Sequence, residues 1–450
     1  MLKKTSPGQY SESISLPIAQ ASFPAPFKST LEFSAPAHGV WNIVHTGMLI
    51  PESHQIFICP ANCMRGVVLT AAEMNAPGRF SQVLIEEKDV LAGSIEKLTI
   101  DGVCECLEKL PVLPRAVLIF TVCMHHFMGA DLDWIYKELK RRYPEIDFIR
   151  CFMDPVMRKS GLTPDQKMRK SLYEAVRPLP VNSKTVSVLG SDFALDETCD
   201  LKKILAGNGY KIKELPACRT YEEYLSIGES ALFISVYPAA EAGAESLAKR
   251  LGRPHIHLPL SFGYDEINKN STLLINALSS GAKTSEAAVP DEISLKQESC
   301  RAALSALRER LNDAEIAIDY TFHPRPLSLA KLLLECGFNV KRIYIDVISG
   351  QEEEDFYYLK ENFPSLVLKP TVSPACRLAH RKASDVLSLG QKAAWFEGSR
   401  HFANIVQGSG WYGYDGILKL CAAMEEAFET EKDPKELIPL KGLGCESCVL

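Results

Sequence analysis

Two short segments of this chain carry residues whose types and spacing could do chemistry. In Ile58-Cys59-Pro60-Ala61-Asn62-Cys63-Met64-Arg65-Gly66, two cysteines four apart flank a Pro-Ala-Asn turn, and an apolar helical run over Val67–Met74 follows. Thiolates near a helix start feel its positive end, which favours the ionised form that binds iron. The plain alternative is a loop with two ordinary thiols. In the second segment, the apolar run Val117–Cys123 leads into Met124-His125-His126-Phe127-Met128-Gly129-Ala130-Asp131. It reads as a buried strand ending in a cysteine, with a loop and a helix start at Asp131. Ligands in open α/β sheets gather at the carboxyl ends of strands. His125 and His126 are candidate ligands or proton donors; hydrogen-bonded loop histidines are the simpler reading. A third feature, Cys445-Glu446-Ser447-Cys448, has spacing suited to iron–sulfur or zinc but supplies only two ligands.

The chain as a whole bounds these readings. Its 450 residues predict two to four domains, and 46% apolar with 24% charged residues is ordinary for a globular protein. A net charge of -6 gives no general reason to bind nucleic acid or an anionic membrane. No apolar run approaches the roughly 20 residues that span a bilayer. The start, MLKKTSPGQYSESISLP, has lysines without an apolar core after them, so it is not read as a secretory signal and a cytoplasmic location is expected. In a reducing cytosol the 14 cysteines are not expected to form structural disulfides. Cys151, Cys199, Cys218, Cys300, Cys336 and Cys421 lie in segments that read as core or element ends, where a free thiol packs as a small hydrophobe.

The elements that would position the chemistry alternate. Strands are expected at Val117–Cys123, Thr185–Gly190, Ala231–Tyr237, Ala314–Thr321, Arg342–Ile348, Leu366–Val372 and Lys392–Phe396. Helical patterns cover Leu132–Tyr143, Ala239–Leu251, Leu327–Cys336 and Gly416–Phe428. Short strands alternating with longer helices predict an α/β fold of parallel sheets joined by right-handed crossovers. The turn-rich Arg177-Pro178-Leu179-Pro180 and the polar stretch Ser279–Pro290 divide the chain. The expected units are 1–180, carrying the cysteine segments; 181–290; 291–432; and a tail, 433–450, with the Cys-x-x-Cys. Gly408-Ser409-Gly410-Trp411-Tyr412-Gly413 matches the dinucleotide pattern Gly-x-Gly-x-x-Gly but lacks a clear strand before it and an acidic residue after a second strand. No Gly-x-x-x-x-Gly-Lys-Ser/Thr occurs, so no P-loop is expected.

In order, the segments resemble the catalytic component of nitrogenase and its relatives, including dark-operative protochlorophyllide reductase. Ile58–Cys63 occupies the place of the family's His-Gly-Pro-type turn ending in a cluster cysteine. Lys88–Leu98 is similar to its Val-Phe-Gly-Gly-type lead into a lysine–leucine helix. Val117–Cys123 with Met128-Gly129-Ala130-Asp131 resembles its strand, cysteine and Ile-Gly-Asp-Asp-type helix start. Leu251-Gly252-Arg253-Pro254-His255-Ile256 looks like its Gly-x-Pro strand start, and Tyr412-Gly413-Tyr414-Asp415-Gly416 like its closing Gly-Tyr-Asp-Gly helix start. The resemblance covers roughly residues 35–428.

The resemblance implies three Rossmann-like domains with parallel sheets around a central cleft. It implies a 4Fe–4S cluster at a subunit interface, held by Cys63 and Cys123 with Cys59 as the third ligand. A homodimer, or a heterotetramer with a paralogous subunit, would receive electrons from a nitrogenase-iron-protein-like ATPase. Tyr237, His401 and Tyr412 are the candidates for lining the cleft, where a substrate, a second metal or a tetrapyrrole-type cofactor would sit. The alternative role is a non-catalytic scaffold on which a metal cofactor is assembled. The departures matter too. The family's upstream cluster cysteine is missing from Ala35–Gly47, which offers only His38 and His45; either Cys59 replaces it, or His54, His45 or a partner chain completes the site. The positions of nitrogenase's cofactor cysteine and histidine hold Tyr237-Pro238 and Tyr412. A cofactor held in the same way, and with it dinitrogen reduction, is therefore not expected.

Overall fold

Runs dense in Val, Ile and Phe form strands because branched and aromatic side chains suit a pleated, buried surface. In the computed structural model of this chain the described residues are 14–28, 32–33, 35, 37, 42–154, 161–280, 291–378 and 384–437. Their strands are Leu16–Pro17 (β1), Ser53–Cys59 (β2), Phe80–Leu84 (β3), Ala116–Val122 (β4), Asp147–Met153 (β5), Asn182–Leu189 (β6), Lys211–Glu214 (β7), Ser230–Ser235 (β8), His255–His257 (β9), Ile316–Asp319 (β10), Val340–Tyr344 (β11), Val367–Lys369 (β12), Ser384–Leu389 (β13) and Ser399–Ala403 (β14).

They form three sheets, ordered β3-β2-β4-β5, β7-β6-β8-β9 and β1-β12-β11-β10-β13-β14. Every pairing is parallel except β1 with β12. This is the α/β architecture of parallel sheets expected from the alternating pattern. Parallel strands need helical crossovers that cover both faces, which is why β2 and β4 are buried along their whole length.

Three sheets share two large apolar cores. On the middle sheet, Val186, Val188, Leu232 and Ile234 join the core of the third sheet. Leu189 and Phe233, pointing the other way by the two-residue period of a strand, join the core of the first. The middle sheet is thus a wall with a core on each side.

Two findings correct the sequence reading. Leu16–Pro17 lies in the third sheet, with Leu16 opposite Leu368, although it falls within the first expected unit, 1–180. Lys392–Phe396, expected as a strand, lies inside the helix Gln391–Glu397. Gly390 and Gly398 bracket that helix at φ of 114° and 64°, and the Asp319 carboxylate accepts from the Ala393 amide at 2.5 Å. A short run of Ala, Trp and Phe is compatible with either element; the glycines and the capping carboxylate decide for helix. The Cys445–Cys448 pair lies outside the described residues.

Candidate functional site

The first sheet brings together cysteines sixty residues apart. β2 and β4 run side by side in parallel register, Phe57 opposite Phe120, so their carboxyl ends emerge at one edge. Those two rings stack with centroids 4.3 Å apart and lock the register. Cys59 is the last residue of β2, and Cys63 lies in the first turn of the helix Ala61–Glu73. Cys123 opens the short helix Cys123–Phe127, directly after β4.

The three thiols differ in setting. Cys63 is exposed and Cys123 half-exposed, while Cys59 is fully buried. The Cys59 sulfur lies 4.0 Å from the Met64 sulfur and 4.0 Å from Gln82 Nε2, which donates towards it. Burial, and next the charge of Cys63, push the Cys59 thiol up to about 12. Burial and then the charge of Cys123 raise Cys63. Cys63 therefore feels Cys123 on one side and is felt by Cys59 on the other. Among the described residues no three His, Cys, Asp or Glu side chains converge on a point where a single metal ion would sit.

The neighbouring histidines are committed to the fold. His125 is buried: the Val122 amide donates to its Nδ1 at 3.4 Å, which leaves Nε2 to face Thr99 Oγ1 at 3.1 Å. Burial holds it neutral, down to about 4. His54 is buried against Ser81, 2.8 Å from Nε2 to Oγ, and His45 Nδ1 accepts from the Asn42 amide at 3.3 Å. His126 is exposed, and His38 lies outside the described residues. Cys151, Cys199, Cys300 and Cys421 are buried, and Cys218 and Cys336 are half-buried. The helices that carry Cys63 and Cys123 leave Val68 and Phe127 55% and 65% exposed.

Away from the cysteines, the three sheets meet around Tyr237. The guanidinium of Arg169, from the helix Pro164–Ser171, lies 4.3 Å from its ring centroid. Arg169 pairs through both terminal nitrogens with Asp192 at 2.9 Å, and neither side chain is exposed. Gln407 Nε2 donates to the Tyr237 hydroxyl at 3.3 Å, tying the second unit to the third. Tyr237 lines a cavity of about 490 Å3 together with Thr163, Tyr320 and Glu352. The other two cleft candidates lie elsewhere. Tyr412 is buried in the core at the start of the helix Gly413–Glu429. His401 lies on β14, its Nδ1 3.2 Å from the Ala427 carbonyl oxygen.

A family model for nitrogenase component 1 type oxidoreductases matches residues 45–429. The chain belongs to that family. Two solved structures, "Nitrogenase Cp1 at pH 6.5" and "Nitrogenase Cp1 at pH 5", share the fold at 14% and 12% identity with TM-scores of 0.64 and 0.55. The first match covers 90% of this chain and 94% of the other, and the second 90% of each. No curated protein matches. Nitrogenase component 1 type oxidoreductases bind iron–sulfur clusters, so the thiols can be tested for fit. A cluster spreads its ligands over several ångströms, so failure to converge on one point does not count against it. Cys63 and Cys123 fit: they are accessible, at one sheet edge and electrostatically in contact. Cys59 fits only with its sulfur turned out of the core. The closing glycine-tyrosine stretch of the nitrogenase component 1 type family has a structural role here. Asp200 Oδ2 accepts from the Tyr414 amide at 2.5 Å, and Lys296 pairs with Asp200 at 2.9 Å, pinning the last helix to the second unit.

Proposed function

We propose that this chain is one subunit of a nitrogenase-like reductase. Its electrons arrive at a 4Fe–4S cluster held by Cys63 and Cys123, with Cys59 as third ligand, at the interface with a second copy or a paralogue. Such a group, when bound, supplies one-electron transfer. The chain's own residues supply the rest. On binding the group the thiols would release their protons to solvent despite the burial that raises Cys59 and Cys63, because coordination favours the thiolate. Gln82 Nε2, 4.0 Å from the buried Cys59 sulfur, would lose that contact when the sulfur turns outward to bind. Exposed Val68 and Phe127 suit burial against a partner, which would also complete the ligand set. Without a P-loop, ATP hydrolysis falls to a separate nitrogenase-iron-protein-like donor. The substrate would lie in the inter-unit cleft beside Tyr237.

The observation that carries the reading is the parallel register of β2 and β4, which delivers Cys63 and Cys123 to one edge. The test is iron analysis and visible absorbance after anaerobic purification. Cys63→Ser and Cys123→Ser should each lose iron while keeping the far-ultraviolet circular dichroism of the parent. Full iron content in either variant removes that residue from the ligand set. Turnover of a substrate with ATP and the donor separates a reductase from an assembly scaffold.

A further inference from the structure

The cavity beside Tyr237 has a chemistry of its own. The carboxyl ends of three strands open onto it: Tyr237 follows β8, Tyr320 follows β10, and Ile345 follows β11. Small ligands of α/β proteins bind at such ends, and about 490 Å3 is within the usual size for a small-molecule pocket. Its lining residues include the acids Asp165, Asp346 and Glu352 and the tyrosines Tyr237 and Tyr320, and among the described residues no Lys, Arg, His or Cys.

Two of the carboxylates are already engaged. Asp165 pairs with Arg169 at 3.1 Å. Asp346 accepts from the amides of Thr371 and Val372 at 2.8 and 3.1 Å and from the Thr371 hydroxyl at 2.5 Å. Glu352 is different. It is 1% exposed, and its Oε1 accepts from the Leu327 and Ser328 amides at 2.7 and 3.2 Å, capping the helix Pro326–Glu335. Its Oε2 is buried with no hydrogen-bond partner. The nearby Arg325 gives it no hydrogen bond, because its terminal nitrogens bind Glu266 at 2.8 Å and Asp355 at 3.3 Å, although its charge favours the ionised carboxyl. A buried carboxyl oxygen without a partner is destabilising unless something else satisfies it.

We propose that this cavity binds a small organic cation, a protonated amine or quaternary ammonium, with the orphaned oxygen of Glu352 as its counter-ion. Asp346 and Asp165 add negative potential, and the tyrosine rings offer faces on which an ammonium group is attracted. Val347, 68% exposed, stands at the rim and marks the open side. The inference rests on the reading of this cleft as the substrate region and names the class of molecule it takes.

The test uses the full chain purified anaerobically. At a pH above about 8, where the Glu352 carboxyl is ionised, methylammonium, tetramethylammonium and benzylammonium are titrated by calorimetry, alongside benzyl alcohol and benzoate as the neutral and anionic counterparts of the last. At least one cation should bind, benzylammonium should bind at least tenfold more tightly than benzyl alcohol, and benzoate should bind least. Glu352→Gln should abolish the preference while melting cooperatively at no lower temperature than the parent, since the glutamine Oε1 still accepts from Leu327 and Ser328. The proposal is overturned if no cation binds, if benzoate binds as tightly as benzylammonium, or if the glutamine variant keeps the preference. Iron measured on the same samples separates the two readings. A cation preference without iron sinks the cluster and leaves this site standing; iron without the preference does the reverse.

Discussion

At the scale of single residues, three cysteines that look alike in the sequence are set apart by their surroundings. Before any metal binds, Cys59 is buried with its thiol at about 12, whereas Cys63 is exposed. Reactivity follows the accessible thiolate. In the metal-free protein iodoacetamide should therefore modify Cys63 and Cys123 well before Cys59, as peptide mass spectrometry would show; early labelling of Cys59 would mean that its sulfur faces solvent. Glu352 makes a prediction about pH. Burial raises its carboxyl to about 8, so the folded protein holds a proton there that the unfolded chain has released. Its contribution to stability is present below the ordinary carboxylate range and is lost as pH rises through about 8. The buried histidines act oppositely. His54 and His125, held down to about 4, cost stability as pH falls below the ordinary histidine range. Comparing denaturant midpoints of the parent and Glu352→Gln isolates the carboxyl. The variant should gain on the parent between about pH 5 and pH 8, by up to a few kcal/mol. A constant difference across that range would refute the assignment.

At the scale of elements, legibility followed local pattern. The strand Val117–Cys123 and the helix Leu132–Tyr143 could be read because an apolar run and an amphipathic period are local signals, and β4 and the helix Leu132–Arg142 match them closely. Lys392–Phe396 could not be read, because its state depends on Asp319, more than seventy residues away. Cys63 and Cys123 were legible as a pair only through the order of motifs; no spacing rule spans sixty residues, and the register of β2 with β4 supplies the link. The orphaned oxygen of Glu352 left no trace in the sequence, where the residue is one of a run of acidic positions. The stretch Tyr412–Gly416, read as a helix start, opens the helix Gly413–Glu429 and is also a joint. Gly413 sits at φ 69°, and a Cβ there would come within 2.4 Å of Asp200 Oδ2. Gly413→Ala should cost about 1–3 kcal/mol from backbone conformation alone, read as a lowered denaturant midpoint. A variant as stable as the parent would show that the last helix is free to shift.

At the scale of the whole molecule, the decisive feature is that three sheets share two cores. The middle sheet gives Val186, Val188, Leu232 and Ile234 to one side and Leu189 and Phe233 to the other. Cut out alone, residues 181–280 would expose both faces and could not offset the entropy of ordering. That fragment should show no cooperative thermal transition, whereas the full chain should melt with the middle sheet never unfolding independently of both neighbours. A sharp transition in the isolated fragment would refute the shared-core account. The same scale governs assembly. Cys63, Cys123, Val68 and Phe127 lie on elements of the first unit, away from the Tyr237 junction. Cross-linking or ultracentrifugation under anaerobic conditions should find a dimer whose association is lost in Phe127→Glu; a monomer that retains a stable cluster would contradict the interface.

The strand β1 has a consequence for how the chain is made. Leu16 cannot meet Leu368 until about 350 further residues have left the ribosome, a wait of roughly 20–70 s at synthesis rates of about 5–20 residues per second. During that interval the first sheet, whose strands all lie between Ser53 and Met153, can close on itself. The N-terminal segment waits and then closes one edge of the third sheet: β1 covers the open edge of β12, the Ile18 amide donates to the Leu366 carbonyl oxygen at 2.8 Å, and Lys360 Nζ donates to the Ala21 carbonyl oxygen at 2.7 Å. A segment made early thus acts as a seal on a strand made some 350 residues later, and a nascent chain stalled before residue 366 would carry a finished first sheet beside an unclosed third.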